Sequence, residues 1–263
     1  MKKKLSIILC IAAVLALAVF VAIKVYLVYH PGEPKVISDL CYGKKGCKDF
    51  LVYVKENGIY TPYIVIDTKN YGEDAVLLLR KDVYMQEMMY RDEDLQGIGA
   101  AYYPGSIVDN FLENEFFGLF SEGMKDVIRN SPVRVHTIML VSKRRGDNVP
   151  YLETIYRHVF VLSFAELDGP AIRDKDEDEG DVIPEALANP VLLYTWLRSE
   201  ANGGDDVQAT LWINTGFINE HVQYAAEHYV RPVMTVNRNE PIVLQSLESG
   251  GGNGMGYVFP SDR

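Results

Sequence analysis

The apolar positions of this chain follow two regimes. From Leu5 to Ile23 they are continuous, interrupted only by Ser6 and Cys10, and Val25 to Tyr29 carry the run past a single Lys24. Nineteen helical residues rise about 28 Å, close to a hydrocarbon core of about 30 Å. Only a helix satisfies its own backbone in lipid, so the run predicts one transmembrane helix. Lys2, Lys3 and Lys4 precede it and mark the cytoplasmic side, which sends everything after it out of the cytoplasm. A cleaved signal peptide would have a shorter apolar stretch and a small-residue cleavage site. No such site occurs before Pro31, and Leu9 before Cys10 departs from a lipoprotein signal. All three readings export the rest of the chain.

Beyond residue 49 the pattern shortens to the lengths of strands. Phe50–Lys55, Pro62–Asp67 and Ala75–Arg80 are rich in β-branched, aromatic or aliphatic residues, and Asn70-Tyr-Gly-Glu-Asp74 reads as the turn of a hairpin over 61–81. Ser106, with Asp109 three positions on, opens a helix whose apolar face holds Ile107, Val108, Phe111, Leu112, Phe116 and Phe117. Ser121 opens a second helix, with Met124, Val127 and Ile128 inward, ended by Pro132. Strand signals return at Val133–Ser142, His158–Ser163, Leu192–Leu197, Val207–Ile213 and Tyr229–Val236. Two early helices among many strands, without βαβ alternation, predict an α+β fold with a mainly antiparallel sheet. The expected organisation is a cytoplasmic and transmembrane segment over 1–29, a stalk over 30–49, a globular domain over 50–246 and a flexible glycine-rich tail over 247–263.

Charge sharpens this picture. Four of the 26 basic residues are lysines of the first segment, so the remainder sets 22 basic against 36 acidic residues, a net charge of −14. Such a domain repels nucleic acid. Cys41 and Cys47 bracket a glycine-containing loop, and export favours a disulfide between them. No other cysteine follows, so a zinc site is not expected.

Four segments in order carry a resemblance. Tyr103-Pro-Gly-Ser106 leading to Leu112 and Phe116, Phe160-Val-Leu-Ser163 with Glu166, Trp196-Leu-Arg-Ser199, and Val230-Arg-Pro-Val resemble the signature of an uncharacterised bacterial domain family, a domain of unknown function. The family is similar in plan to C-type-lectin-like folds and to the formylglycine-generating sulfatase-modifying fold. The resemblance implies a C-type-lectin-like scaffold in which an arginine-bearing closing strand lies near the Trp-Leu-Arg-Ser segment. Glu113, Thr195, Glu200 and Asn202 depart from the family pattern. The enzymes sharing the fold use core cysteines, which this chain lacks after Cys47, so that chemistry does not transfer.

Candidate site residues follow. Arg198 and Arg231, with Trp196, can grip an anionic ligand; the competing reading pairs the arginines with a buried carboxylate such as Glu166, or with backbone carbonyls. Tyr102 and Tyr103 offer amphipathic contact area for a sugar or protein. Asp174, Asp176 and Asp178 alternate as in a calcium loop, with Glu185 at the twelfth place. Glu179 stands where that loop needs glycine, and Gly180 comes one place late, so a solvated acidic loop competes with a weak calcium site. Beyond that possible calcium no cofactor is expected. The histidines show no metal-ligand spacing, and no nucleophile elbow occurs. The expected function is a surface binding or adhesion module, single-pass through residues 5–29, with an unknown protein or carbohydrate ligand presented to loops 83–105, 168–190 and 199–206. A structural subunit of an envelope assembly and an envelope-acting hydrolase are the alternatives.

Overall fold

A computed structural model describes residues 34–41, 50–91, 102–137, 152–168, 180–189, 191, 193–201, 206–213, 216–223, 226–247 and 254–262, with only the backbone over 200–225. The fold is α+β, dominated by antiparallel sheet. The expected transmembrane segment lies outside the described residues, and among the described residues no helix is long and apolar enough to cross a membrane.

The main sheet begins with β1 (Leu51–Glu56), β2 (Ile59–Ile66) and β3 (Ala75–Arg80), an antiparallel meander. Asn57 and Gly58, both at positive φ, form the tight turn between β1 and β2 that matches the twist of a hairpin. Residues 67–74 join β2 to β3, a turn that begins three residues before the predicted Asn70–Asp74. β12 (Val233–Asn237) lies antiparallel to β3 and carries β7 (Val159–Phe160) on its other side. β13 (Val243–Leu247) and β14 (Gly254–Val258) complete seven strands in the order β13-β14-β1-β2-β3-β12-β7. Every residue of β3 except Arg80 is buried, as its continuous aliphatic run requires of a strand covered on both faces.

A second sheet has the order β10-β9-β8-β11-β4, formed by β4 (Tyr84–Met89), β8 (Thr195–Ala201), β9 (Asp206–Ile213), β10 (Gly216–Gln223) and β11 (Glu227–Val230). β5 (Ser131–His136) and β6 (Leu152–Arg157) make a separate hairpin. Ser106 caps α1 (Ile107–Asn110), accepting from the Asp109 amide at 3.0 Å. The helix runs on as a π-helical turn over Phe111–Phe116 and a 3₁₀ turn over Phe117–Leu119. Ser121 caps α2 (Glu122–Val127) through the Met124 amide at 3.1 Å. α3 (Phe164–Asp168) and α4 (Pro184–Ala188) are single short turns.

Three expectations are corrected. The stretch assigned to a stalk enters the core: Ile37, Leu40 and Cys41 are fully buried, because a 3₁₀ turn over Ile37–Leu40 hydrogen-bonds to the chain after β12. Cys47 lies outside the described residues, among which no disulfide occurs. Loop 83–105 contains β4, and the described residues of 199–206 belong to β8 and β9. The tail is not free, since β14 lies between β1 and β13, pairing parallel to β1 and antiparallel to β13. Phe259 is fully buried, and Asp262 accepts from the Lys55 amide at 2.6 Å and from the Ser121 hydroxyl at 2.8 Å. Glycine permits this: Cβ atoms on Gly256 would sit 2.6 Å from Leu247 Cδ1 and 2.7 Å from Tyr53 Cδ2.

Two outcomes test the tail's docking. A Cβ on Gly123 would land on the Ser261 carbonyl. Gly123→Ala should therefore lower stability by roughly 1–3 kcal/mol in urea denaturation and open residues 254–262 to protease. Gly118, with open space around it, should accept alanine without loss. Burial raises the Asp262 carboxyl above its ordinary range, so folding favours its protonated form. Its stabilising contribution is fully present below the unfolded carboxylate value and is lost as pH rises through the raised folded one. The stability of the wild type minus that of Asp262→Asn should fall as pH rises through that window; a flat difference would refute it.

Candidate functional site

Arg198 and Glu166 are both fully buried as side chains, and Arg198 Nη1 donates to Glu166 Oε2 at 2.8 Å. Glu166 sits at the third position of α3, and the local sequence Ser163-x-x-Glu166 closes a complete capping box. Ser163 Oγ accepts from the Glu166 amide at 3.2 Å, and Glu166 Oε2 accepts from the Ser163 amide at 2.9 Å. The other carboxylate oxygen accepts from the Tyr71 hydroxyl and from Asn70 Nδ2 at 3.2 Å. Arg198 also donates to the Val161 carbonyl at 2.7 Å and to the Arg134 carbonyl at 2.9 Å. Its neighbour Ser199 accepts from the Phe164 amide at 2.8 Å. One guanidinium therefore ties β8 of the second sheet to β5 and to the segment after β7.

A strap closes over this centre. Asn70 pairs with the Asp181 backbone in both directions, at 2.8 and 3.2 Å, and the Ile183 amide donates to the Glu166 carbonyl at 2.7 Å. A Cβ on Gly180 would fall 2.8 Å from Glu166 Cγ and 2.9 Å from Asn70 Nδ2. Gly180, out of place for a calcium loop, is where the backbone must pass against Glu166. Asp174, Asp176 and Asp178 lie outside the described residues. Among the described residues no group of three His, Cys, Asp or Glu side chains is placed to hold a metal ion.

The other predicted residues separate. Trp196 is buried, donates from Nε1 to the Met88 carbonyl at 2.7 Å, and packs against Tyr90 and His228. Arg231 follows β11 and donates to the Arg80 and Lys81 carbonyls at 2.9 and 3.0 Å; burial lowers its pKa to about 10. Arg80 in turn forks onto Glu56 at 2.9 and 3.0 Å, and Tyr63 donates to the same carboxylate at 2.6 Å. Sequence reasoning missed this second Tyr–Glu–Arg group, whose members come from three successive strands with no motif linking them. Tyr103 is buried, its hydroxyl without a hydrogen-bond partner among the described residues; burial and then the charge of Asp109 raise its pKa. The contacts of both arginines are those of the structural reading: Arg198 takes the Glu166 carboxylate and two carbonyls, and Arg231 takes carbonyls alone.

Tyr102 belongs to a different, half-exposed place. Residues Glu153, Ile155 and Arg157 alternate on the inner face of β6, and three polar pairs join that region to the α1 side. Tyr102 donates to Glu153 at 2.7 Å, and its hydroxyl is pushed up to about 12 by burial and by that carboxylate. Arg157 forks onto Asp109 at 2.7 and 2.8 Å. His158 Nδ1 meets Glu113 Oε1 at 2.6 Å, and the His158 amide donates to Glu113 Oε2 at 2.9 Å. Phe117 stacks on the imidazole at 4.6 Å between centroids. A carboxylate on Nδ1 fixes the orientation of the ring, as it does for acid–base and ligand-holding histidines. Glu113 sits in the π-helical turn, a local form concentrated at functional sites.

An α+β domain braced from within by the arginine of its Trp-Leu-Arg-Ser strand is the class that this fold and site define. Residues 73–238 match the family described as Domain of unknown function (DUF6273), and the chain belongs to that family. No curated protein and no solved structure matches the chain.

Three substitutions test the brace by chemical denaturation. Arg198→Lys cannot reproduce the fork, and should cost about 3–5 kcal/mol, as breaking a buried pair does. Tyr71→Phe, which removes one donor, should cost about 1–2 kcal/mol. Gly180→Ala should speed amide exchange at Ser163 and Glu166 by lifting the strap. An Arg198→Lys variant of wild-type stability would show that the pair does not hold the sheets together.

Proposed function

We propose that this chain is a membrane-anchored binding module, held by residues 5–29 with its domain outside the cytoplasm, and that it recognises a glycan or protein along the seam between α1 and β6. The carrying observation is that seam: Tyr102, Glu113, Arg157 and His158 are half-exposed, paired and flanked by aromatic surface. Arg157 forks onto the buried Asp109 and holds the seam in place, whereas Tyr102–Glu153 and Glu113–His158 are half-exposed on both sides, and such pairs contribute about 0–1 kcal/mol to folding. Charged and aromatic groups so lightly committed can exchange their partners for those of a ligand. The signature residues Trp196, Arg198 and Arg231 are bonded to the protein itself, which supports assigning recognition to the surface around them.

The finer scaffold reading is C-type-lectin-like. What supports it is that β11, which leads into Arg231, lies parallel to the Trp196-Leu-Arg-Ser199 strand, with Tyr229 opposite Thr195. A second reading, as a subunit of an envelope assembly, is favoured by the sheet edge. Leu244 of the outermost strand and Met255 beside it share one face and are 45 % and 61 % exposed.

Two measurements decide. Protease added to intact cells should digest residues 34–263 without lysis. Full-length protein in nanodiscs, applied to a glycan array and to immobilised cell-surface proteins with and without calcium, should retain a ligand. Tyr102→Ala and His158→Ala should each weaken that binding about tenfold, or 1.4 kcal/mol, with little change in melting temperature. Absence of binding in every arm favours the assembly reading.

A further inference from the structure

We infer that the domain meets the lipid surface by one defined end of its main sheet, the end carrying the 67–74 turn and residues 238–241. This rests on the proposed anchor and goes beyond it by fixing which way the domain faces. The described chain enters at Pro34 and is bonded at once to that end. The Lys35 carbonyl accepts from the Ile242 amide at 3.0 Å, the Ile37 amide donates to the Glu240 carbonyl at 2.8 Å, and the Ser38 amide donates to the Arg238 carbonyl at 3.2 Å. Asp39 clamps the same entry, accepting from the Lys35 and Val36 amides at 3.0 and 3.2 Å. Val36 also bridges to Pro241.

Five residues, and so six Cα steps, separate Tyr29, the last of the apolar run, from Lys35. Fully extended they span at most about 20 Å, so the contacts of Lys35 lie within that distance of the headgroups. Arg238 carries the constraint to the neighbouring turn: its amide donates to the Asp74 carbonyl at 2.9 Å, and its guanidinium reaches the Glu73 carbonyl at 3.2 Å and Asp67 at 2.6 Å. Three acids of this end face cations. Asp67 meets Arg238, Glu73 meets Lys69 at 3.3 Å, and Asp74 meets Arg129 at 3.0 Å. In a domain of strong negative charge, that pairing lowers the repulsion this end would meet from phosphate headgroups. The Asn57-Gly58 turn stands at the opposite end of β2, about 23 Å farther out at 3.3 Å per residue.

The test uses full-length protein reconstituted in phosphatidylcholine vesicles that contain a nitroxide-headgroup lipid. One fluorescent unnatural amino acid is placed at Lys69 or at Ile59, both exposed. Flotation with the vesicles is measured on the same samples. Quenching should be several-fold stronger at position 69 than at 59, and a long Gly-Ser insertion after His30 should erase the difference. Equal or stronger quenching at 59 in protein that floats overturns the orientation and leaves the anchor standing. A difference that survives the insertion overturns the short tether as its cause. Protein that does not float overturns the anchor, and the orientation with it.

Discussion

The structure depends on one buried charge pair. Arg198 and Glu166 have no contact with water, and a guanidinium removed from water is tolerated only where its donors and its charge are matched. Here the matching is spread over three places in the chain: the Glu166 carboxylate, the Val161 carbonyl and the Arg134 carbonyl. Glu166 is equally committed, to Tyr71, Asn70, the Ser163 amide and Arg198. The centre thus cannot be satisfied until the second sheet, the β5–β6 hairpin and the 67–74 turn have all arrived. A hydrophobic contact tolerates sliding; a fork on fixed carbonyls does not. The pair accordingly sets the mutual placement of the layers as well as their attraction.

Much of this was legible in the sequence, and the exceptions have a common cause. The caps at Ser106 and Ser121, the buried β3 strand and the hairpin over 61–81 are local, set by residues within a few positions of one another. Ser163-x-x-Glu166 is equally local, a capping box whose glutamate also serves the brace. What escaped was non-local or lay against intuition about composition. The glycines of 250–256 suggest mobility, yet Gly256 is small because Leu247 and Tyr53 crowd it. The proline- and glycine-rich stretch after the apolar run suggests a stalk, but Ile37 and Leu40 carry enough apolar surface to be drawn into the core. The Tyr63–Glu56–Arg80 group could not be read, because no spacing connects a β1 acid to an arginine at the end of β3.

The region that matches the family, residues 73–238, spans β3 to β12. It therefore contains Arg198 and Glu166 but omits Tyr71 and Asn70, which complete the carboxylate's coordination. It also omits β1, β2, β13 and β14, four of the seven strands of the main sheet. These flanking strands pair with one another across the whole length of the chain, β14 lying parallel to β1. The added strands lengthen the sheet on the side where the chain enters, so the entry point is part of a rigid layer and not of a flexible connector.

Rigidity of the entry determines what the surface can do. A domain on a long flexible stalk samples all directions, and every face is equally available to a partner. On the proposed anchor, a domain whose first described residues are hydrogen-bonded into the sheet has little orientational freedom to lose, because the connection is short. Confinement lowers the entropy cost of recognition for whichever surfaces face outward, and it removes surfaces near the headgroups from contact with large partners. The seam between α1 and β6 is tied to the edge of the main sheet through His158, which immediately precedes β7, the last strand of that sheet. On the proposed function, the outer pairs Tyr102–Glu153 and Glu113–His158 can be rearranged without disturbing the buried brace. On that reading the ligand meets side chains other than those of the brace, so specificity can change while Arg198 keeps the fold.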